Sequence, residues 1–286
     1  MRGGTNQQKE VVAVLPAAGK SLRLAPLPCS KEILPVGLQA MIDPQASRLK
    51  VVSHYLLECL QKADIRKGYI VIRQGKWDIP TYWGGGGMLG MNLAYVVIEG
   101  SSGPPDTIDR AYPFVKDKIV AFGFPDIILR PKEVFVKLLD RLNYSGSDVV
   151  LALFPAHNSK TMDMIDIDAT LRVRAIHLKP RTSRLRYAWL CAVWTPVFTE
   201  FLHQFVRQVK QGEKAEVVEN HRIDAQGDIP VGVVLKEAVK AKLKVDGVTF
   251  PTGRYIDIGT PRALSIVHRF VSHSRPSYLT CLESEG

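Results

Sequence analysis

The chain has 286 residues, of which 46% are hydrophobic and 23% charged, and 38 Lys and Arg against 28 Asp and Glu give a formal net charge of +10. This balance argues against wholesale disorder and a collagen-like chain, and the length suits one large α/β domain or two small ones. The basic excess attracts anionic partners, so nucleic acid, phosphorylated metabolites and acidic lipid all stay open on charge alone.

The N-terminal residues MRGGTNQQKE lack the apolar core of a signal peptide, and no stretch reaches the roughly 20 apolar residues needed to cross a bilayer. A cytoplasmic protein without a membrane partner is the expectation. Val11–Leu15 (VVAVL) is a continuous β-branched run, as in a central parallel strand covered on both faces. Similar runs at Tyr69–Ile72, Leu93–Ile98, Ile119–Phe122 and Val149–Leu153 alternate with helical periodicity, which predicts a mostly parallel sheet flanked by helices. Gly84–Gly87 is too flexible for an element interior and reads as a mobile loop or a plain turn before the 93–98 strand.

Pro131 predicts the first turn of a helix with Val134, Phe135, Leu138, Leu139 and Leu142 on one face. Between Asp163 and Leu178 two strand-like pieces joined by a polar turn predict a β-hairpin, where the sheet becomes mixed. Thr195-Pro196 reads as N-cap and first residue of a long amphipathic helix, and Thr260-Pro261 repeats the signal. That second start places Asp257 at or just beyond a strand end. The last residues, 273–286, lack periodicity and read as a tail. Cys29, Cys59, Cys191 and Cys281 have no paired spacing, so reduced thiols are expected.

Chemistry concentrates in residues 11–37, VVAVLPAAGKSLRLAPLPCSKEILPVG. Small residues Ala17, Ala18 and Gly19 after a buried strand let the backbone approach a ligand and turn N–H groups toward anionic oxygens, with Lys20 and Ser21 continuing the loop. Arg23 and Lys31 follow as a planar fork and a point charge for phosphates. The pattern fits neither GxxxxGK[ST] nor GxGxxG.

The segment Ala17-Ala18-Gly19-Lys20-Ser21-Leu22-Arg23-Leu24-Ala25-Pro26, followed by Ser30-Lys31-Glu32-Ile33-Leu34-Pro35-Val36, resembles the signature of the sugar nucleotidyltransferases, the nucleoside-diphosphate-sugar pyrophosphorylases. Ser21 stands where that family has Gly and Leu22 where it has Thr or Ser, so Ser21 puts a Cβ at a position suited to positive φ. The resemblance continues through Gly90–Tyr95, through Phe122–Asp126 as a strand ending in the metal motif, and through Lys179-Pro180, with Leu178 in place of the family's Glu. It ends at Tyr255–Pro261, similar to W-x-D-I-G-T-P. No equivalent of the family's acidic sugar-contacting segment is recognisable between residues 213 and 235.

The resemblance implies a single domain over residues 1–272, with a nucleotide-binding half to about 125 and a sugar-phosphate half from 126. Its expected fold is a three-layer α/β/α Rossmann-like one with a mixed, mostly parallel central sheet. It further implies transfer of a nucleoside monophosphate from a nucleoside triphosphate, dTTP or UTP favoured, to a sugar-1-phosphate, glucose-1-phosphate favoured. The implied roles are catalysis by Arg23, Lys31 and Asp126, and nucleotide binding by Ala17, Ala18, Gly19, Lys20, Ser21 and Asp109. Lys179 and Trp189 would bind the sugar phosphate, and Asp126 and Asp257 would hold Mg²⁺. Two carboxylates at strand ends suit a hard cation shared with substrate phosphates. A homo-oligomer is compatible with this resemblance, and nucleic acid is not an expected partner. A cytidylyl- or molybdopterin-type transferase and a non-catalytic nucleotide-binding paralogue are the alternatives.

Overall fold

The computed structural model describes residues 9–40, 47–214 and 228–272. Its strands are β1 (Val11–Ala17), β2 (Pro35–Ala40), β3 (Ser47–Val51), β4 (Lys67–Arg73), β5 (Asn92–Ile98), β6 (Ile119–Gly123), β7 (Ile127–Arg130), β8 (Val149–Pro155), β9 (Met164–Ile167), β10 (Val173–His177), β11 (Tyr187–Trp194), β12 (Val245–Thr249) and β13 (Arg254–Asp257). The helices are α1 (Val52–Lys62), α2 (Asp78–Trp83), α3 (Pro104–Asp109), α4 (Tyr112–Val115), α5 (Val134–Ser145), α6 (Pro196–Lys210), α7 (Val231–Lys240) and α8 (Pro261–Ser272). No helix among the described residues is long and apolar enough to cross a membrane.

A nine-stranded sheet runs β10-β9-β11-β6-β1-β4-β5, with β8 also paired to β11 and β12 paired to β8. β1 is parallel to β4 and β6, β4 to β5, and β8 to β12. β11 runs antiparallel to β6, β8 and β9, and β10 antiparallel to β9. Seven strands therefore share one direction, which fits the mixed, mostly parallel sheet that the apolar runs predict.

Both faces are covered, and β1 shows why a continuous apolar run is required there. Val12 and Val14 join the core under α3, α6 and α7, whereas Ala13 and Leu15 join the core under α1, α2 and α5. A third cluster forms where α1, α8 and the β2–β3 hairpin meet a two-stranded ladder of β7 and β13. That ladder and the hairpin are not signalled by the sequence patterns.

The β9–β10 hairpin forms as expected, and α6 opens at Pro196 with Thr195 in the N-cap position, where its hydroxyl makes no capping hydrogen bond. Gly84–Gly87 makes a turn and a short 3-10 helix before β5, in which a side chain at Gly86 (φ +87) would collide with Leu93. Pro131 departs from expectation: α5 opens at Val134, after Glu133, with Pro131 three residues outside it. The residues after β7 must first leave the β7–β13 ladder, so Pro131 serves that exit rather than the first helical turn. Residues 273–286, and 215–227 of the segment searched for an acidic sugar motif, lie outside the described residues.

Candidate active site

Parallel strands direct their carboxyl ends to one edge of a sheet, where open α/β folds bind ligands. The loop after β1 and the segment after β6 therefore emerge side by side. Ala17 and Ala18 are buried, while Gly19 and Lys20 are exposed. Ser21 has φ 55 and ψ 30, so the loop does require a left-handed residue there. A non-glycine residue in that region costs about 1–2 kcal/mol, and the Ser21 hydroxyl is buried without a hydrogen-bond partner among the described residues. A 3-10 turn over Leu22–Leu24 buries Leu24 and leaves Arg23 exposed, and a second over Lys31–Ile33 buries Glu32.

Asp126 lies between β6 and β7, and Asp257 closes β13. The register Asp257↔Ile127 and a hydrogen bond from the Ile258 N–H to the Asp126 carbonyl (2.9 Å) make the two aspartates near neighbours across the small ladder. The Lys31 ammonium reaches across to the Asp126 carboxylate at 2.5 Å, with only 16% and 13% of the two side chains exposed. Arg23 closes the group: a Cβ placed on Gly259 would lie 2.9 Å from an Asp257 oxygen and 3.1 Å from the Arg23 guanidinium. Gly259 thus leaves free the space that a side chain would take from both groups.

The charges are mutually adjusted. Burial, and then the neighbouring Asp126 charge, push the Asp257 carboxyl up to about 6, against the pull of Lys31 and Arg23. Burial disfavours the Lys31 ammonium, but Asp126, Glu32 and Asp257 outweigh it and raise its pKa. Two carboxylates that repel one another in a half-dry cleft are a donor set for a hard divalent cation completed by waters and phosphate oxygens. No group of three or more His, Cys, Asp or Glu side chains that could hold a metal occurs among the described residues. A cation here would therefore depend on these two aspartates and a ligand.

Beside the loop opens a pocket of about 360 Å³ lined by Lys20, Ser21 and Ser30 on one wall and Gly75, Lys76 and Asp78 on the other. Asp78 accepts from both the Ser30 N–H (2.6 Å) and hydroxyl (2.8 Å). The 75–78 turn carries no motif. Its only signal in sequence is that it follows a buried strand paired in parallel with β1.

Of the remaining expected residues, Lys179 and Trp189 come together through a residue that sequence reasoning missed. The Trp189 indole donates to Asp163 (3.3 Å), and Lys179, at φ 38, lies against the same carboxylate. Burial raises the Asp163 pKa, opposed by the Trp189 hydrogen bond and by Lys179. Asp109 is not part of the cluster around the loop. Its carboxylate meets His203 Nδ1 at 2.8 Å, joining α3 to α6, and Tyr112 stacks on that histidine ring at 3.8 Å.

This sheet order, with a small-residue loop after its central strand and paired aspartates at its carboxyl edge, defines an α/β protein whose candidate site lies at the carboxyl edge of a mixed, mostly parallel sheet. Two solved structures carry that fold over nearly the whole chain. One is a protein from Bacillus anthracis assigned as a glucose-1-phosphate thymidylyltransferase, in complex with sucrose, which aligns with TM-score 0.74 and 16% identity over 93% of this chain and 97% of that one. The other is a UDP-glucose pyrophosphorylase complexed with UDP-glucose, with TM-score 0.71 and 14% identity over 93% of this chain and 100% of that one. No family profile and no curated protein matches the sequence.

Proposed function

We propose that the protein is a nucleotidyltransferase that moves a nucleoside monophosphate from a nucleoside triphosphate to a sugar-1-phosphate. The observation that carries this reading is the convergence of Arg23, Lys31, Asp126 and Asp257 on the loop after β1. The overall likeness to a thymidylyltransferase-assigned protein and a UDP-glucose pyrophosphorylase supports dTTP or UTP as donor and glucose-1-phosphate as acceptor.

In this reading an oxygen of the sugar phosphate attacks the α-phosphorus in line. A new P–O bond forms, the bond to the α,β-bridging oxygen breaks, and pyrophosphate leaves with that oxygen and its electron pair. The attacking oxygen is already anionic, so no general base is needed, and the protein acts by position and charge. The amides of Ala18 and Gly19 and the side chains of Lys20 and Ser21 hold the triphosphate. Arg23 answers charge on the leaving pyrophosphate, Lys31 binds triphosphate oxygens next to Asp126, and Lys179, with Trp189 beside it, takes the sugar phosphate. Asp126 and Asp257 would hold Mg²⁺, which when bound supplies neutralisation of phosphate charge.

Pyrophosphate release, measured with the common triphosphates against a panel of sugar-1-phosphates in the presence of Mg²⁺, tests the reading. Turnover is expected with at least one pair, and Asp126→Ala and Asp257→Ala should each lower it by at least about 100-fold with the fold retained. Nucleotide binding without turnover for every pair would overturn the transferase reading in favour of a binding protein.

A further inference from the structure

The groups of residues 18–21 that hold the triphosphate in the reaction proposed above sit on a loop with little regular structure, and something must fix its peptide planes. The contacts of the turn after β4 supply an answer. The Lys76 ammonium donates to the Ala17 carbonyl at 2.8 Å and to both oxygens of Glu32 at 2.9 Å each. The Arg73 guanidinium donates through Nε to the Ala18 carbonyl at 3.1 Å and through Nη1 to the Glu99 carbonyl at 3.4 Å. Two residues on, Asp78 takes both donors of Ser30, the residue before Lys31. The turn itself is tied to β5 by the Gln74 N–H on the Ile98 carbonyl (2.8 Å) and closed by the Lys76 N–H on the Arg73 carbonyl (3.0 Å).

We propose that Lys76, assisted by Arg73, is a positioning residue that clamps the phosphate loop and the Lys31 turn into one register. The inference rests on the nucleotidyltransferase reading for its catalytic consequence, but the clamp itself is a property of the free protein. Three features give it this role rather than a share in ligand binding. The three protons of the Lys76 ammonium match three acceptors already in place, so none is left for a phosphate. The Lys76 and Glu32 side chains are only 14% and 3% exposed, which makes their ion pair a fixed internal strut rather than a surface contact.

The third feature is peptide geometry. The bonds Ala17-Ala18 and Ala18-Gly19 are trans, because the cis bonds among the described residues are Ala25-Pro26 and Arg130-Pro131. In a trans peptide the N–H points opposite to the C=O. Cations holding the carbonyls of Ala17 and Ala18 from the β4 side therefore turn the amides of Ala18 and Gly19 away from that turn, as donors for anionic oxygens. Through Glu32 the same ammonium fixes the residue next to Lys31, whose own charge sits on Asp126. One side chain thereby sets the spacing between the loop amides and the catalytic lysine. Misplacement by about 1 Å can cost on the order of 100-fold in rate.

The test compares the wild-type chain with Lys76→Met, Lys76→Arg and the double variant Lys76→Met/Glu32→Gln. The double variant avoids an uncompensated buried carboxylate and so guards against simple unfolding. Backbone hydrogen exchange of the ligand-free proteins reads the clamp directly. Exchange of the hydrogen-bonded amides of Leu24, Ile33 and Leu34, in the two turns that the clamp holds, should accelerate at least about tenfold in both Met variants, less in Lys76→Arg, and the β1 and β6 amides should keep their wild-type rates. In pyrophosphate release, kcat should fall about 10- to 100-fold with KM for the sugar-1-phosphate within about twofold, and Lys76→Arg should recover part of the loss. Unchanged exchange and kcat in the double variant would overturn the clamp, as would acceleration spread evenly over the sheet. A wild-type chain inactive with every substrate pair refutes the transferase reading, and the exchange arm then decides the clamp alone.

Discussion

Gly259 shows how one missing side chain can matter to a charged site. A methyl group there would press on the Asp257 carboxylate and the Arg23 guanidinium, both ends of side chains rather than backbone. Gly259→Ala should therefore leave the denaturation midpoint within about 1 kcal/mol of wild type and lower kcat for pyrophosphate release about tenfold or more. Retained activity would show that Arg23 and Asp257 do not need the space that Gly259 leaves them. His54 offers a second residue-scale prediction. It is 1% exposed, and both ring nitrogens lack hydrogen-bond partners among the described residues. Burial, followed by the charge of Lys50, lowers its pKa from 6.5 to about 4. The ring is thus neutral at pH 7, and its 3.6 Å approach to Glu58 is not then an ion pair. Because the folded-state pKa is the lower one, the unfolded chain binds this proton first. The stability involved is fully present above pH 6.5 and is lost as the pH falls toward 4. Urea midpoints from pH 7.5 down to 4.5 should decline less steeply in His54→Leu than in wild type; parallel curves would remove His54 as the cause.

Among the elements, the least legible in sequence are those held by charge and by long-range pairing. Asp246, on β12, is fully buried and takes Arg141 of α5 at 2.8 Å and Arg172, before β10, at 2.7 Å. It fastens the last strand of the large sheet to a helix about 100 residues earlier and to the β9–β10 hairpin. Asp246→Asn keeps the shape but leaves two guanidinium groups without their counter-charge, and should cost about 3 kcal/mol in a denaturant titration. A cost below about 1 kcal/mol would mean that the arginines simply turn to solvent. Nothing local in VDGVT announces this role. By contrast β1 was readable because burial on both faces leaves no polar position, and α6 because Thr195-Pro196 precedes an unbroken apolar stripe. The candidate site divides along the same line. Arg23, Lys31, Asp126 and Asp257 stood out because each sits in a compact motif beside a strand end. Lys76, Glu32 and Asp163 did not, because their meaning comes from the packing of loops that are far apart in the chain. Asp109 faces His203 of α6, a contact that a short helix can make with its carboxylate and that no local pattern around 103–111 announces.

At the scale of the whole molecule, the division into a half ending near residue 125 and another beginning at 126 falls next to β6, a central strand of the main sheet. β6 is parallel to β1 on one side and antiparallel to β11 on the other, so the main sheet passes through the boundary without a break. Phe122 is fully buried on that strand, with its ring 5.5 Å from Trp194 and 6.2 Å from Trp189. On the opposite face a Cβ at Gly123 would come within 2.9 Å of Leu56. The same strand leads to Asp126, whose carbonyl holds the Ile258 N–H beside the second aspartate. Separating the halves would thus part Asp126 and Asp257, both in the second half, from Lys31 and Arg23 in the first, so the site can exist only while both halves are docked. Phe122→Ala should cost about 3–5 kcal/mol, the usual range for emptying an aromatic core position. Because the cavity lies in a shared strand, hydrogen-exchange protection should drop by a similar amount at the β1 amides (11–17) and the β11 amides (187–194). Loss confined to β11 would mean that the two halves fold as separate units joined only at the edge, and that their docking is a step distinct from folding.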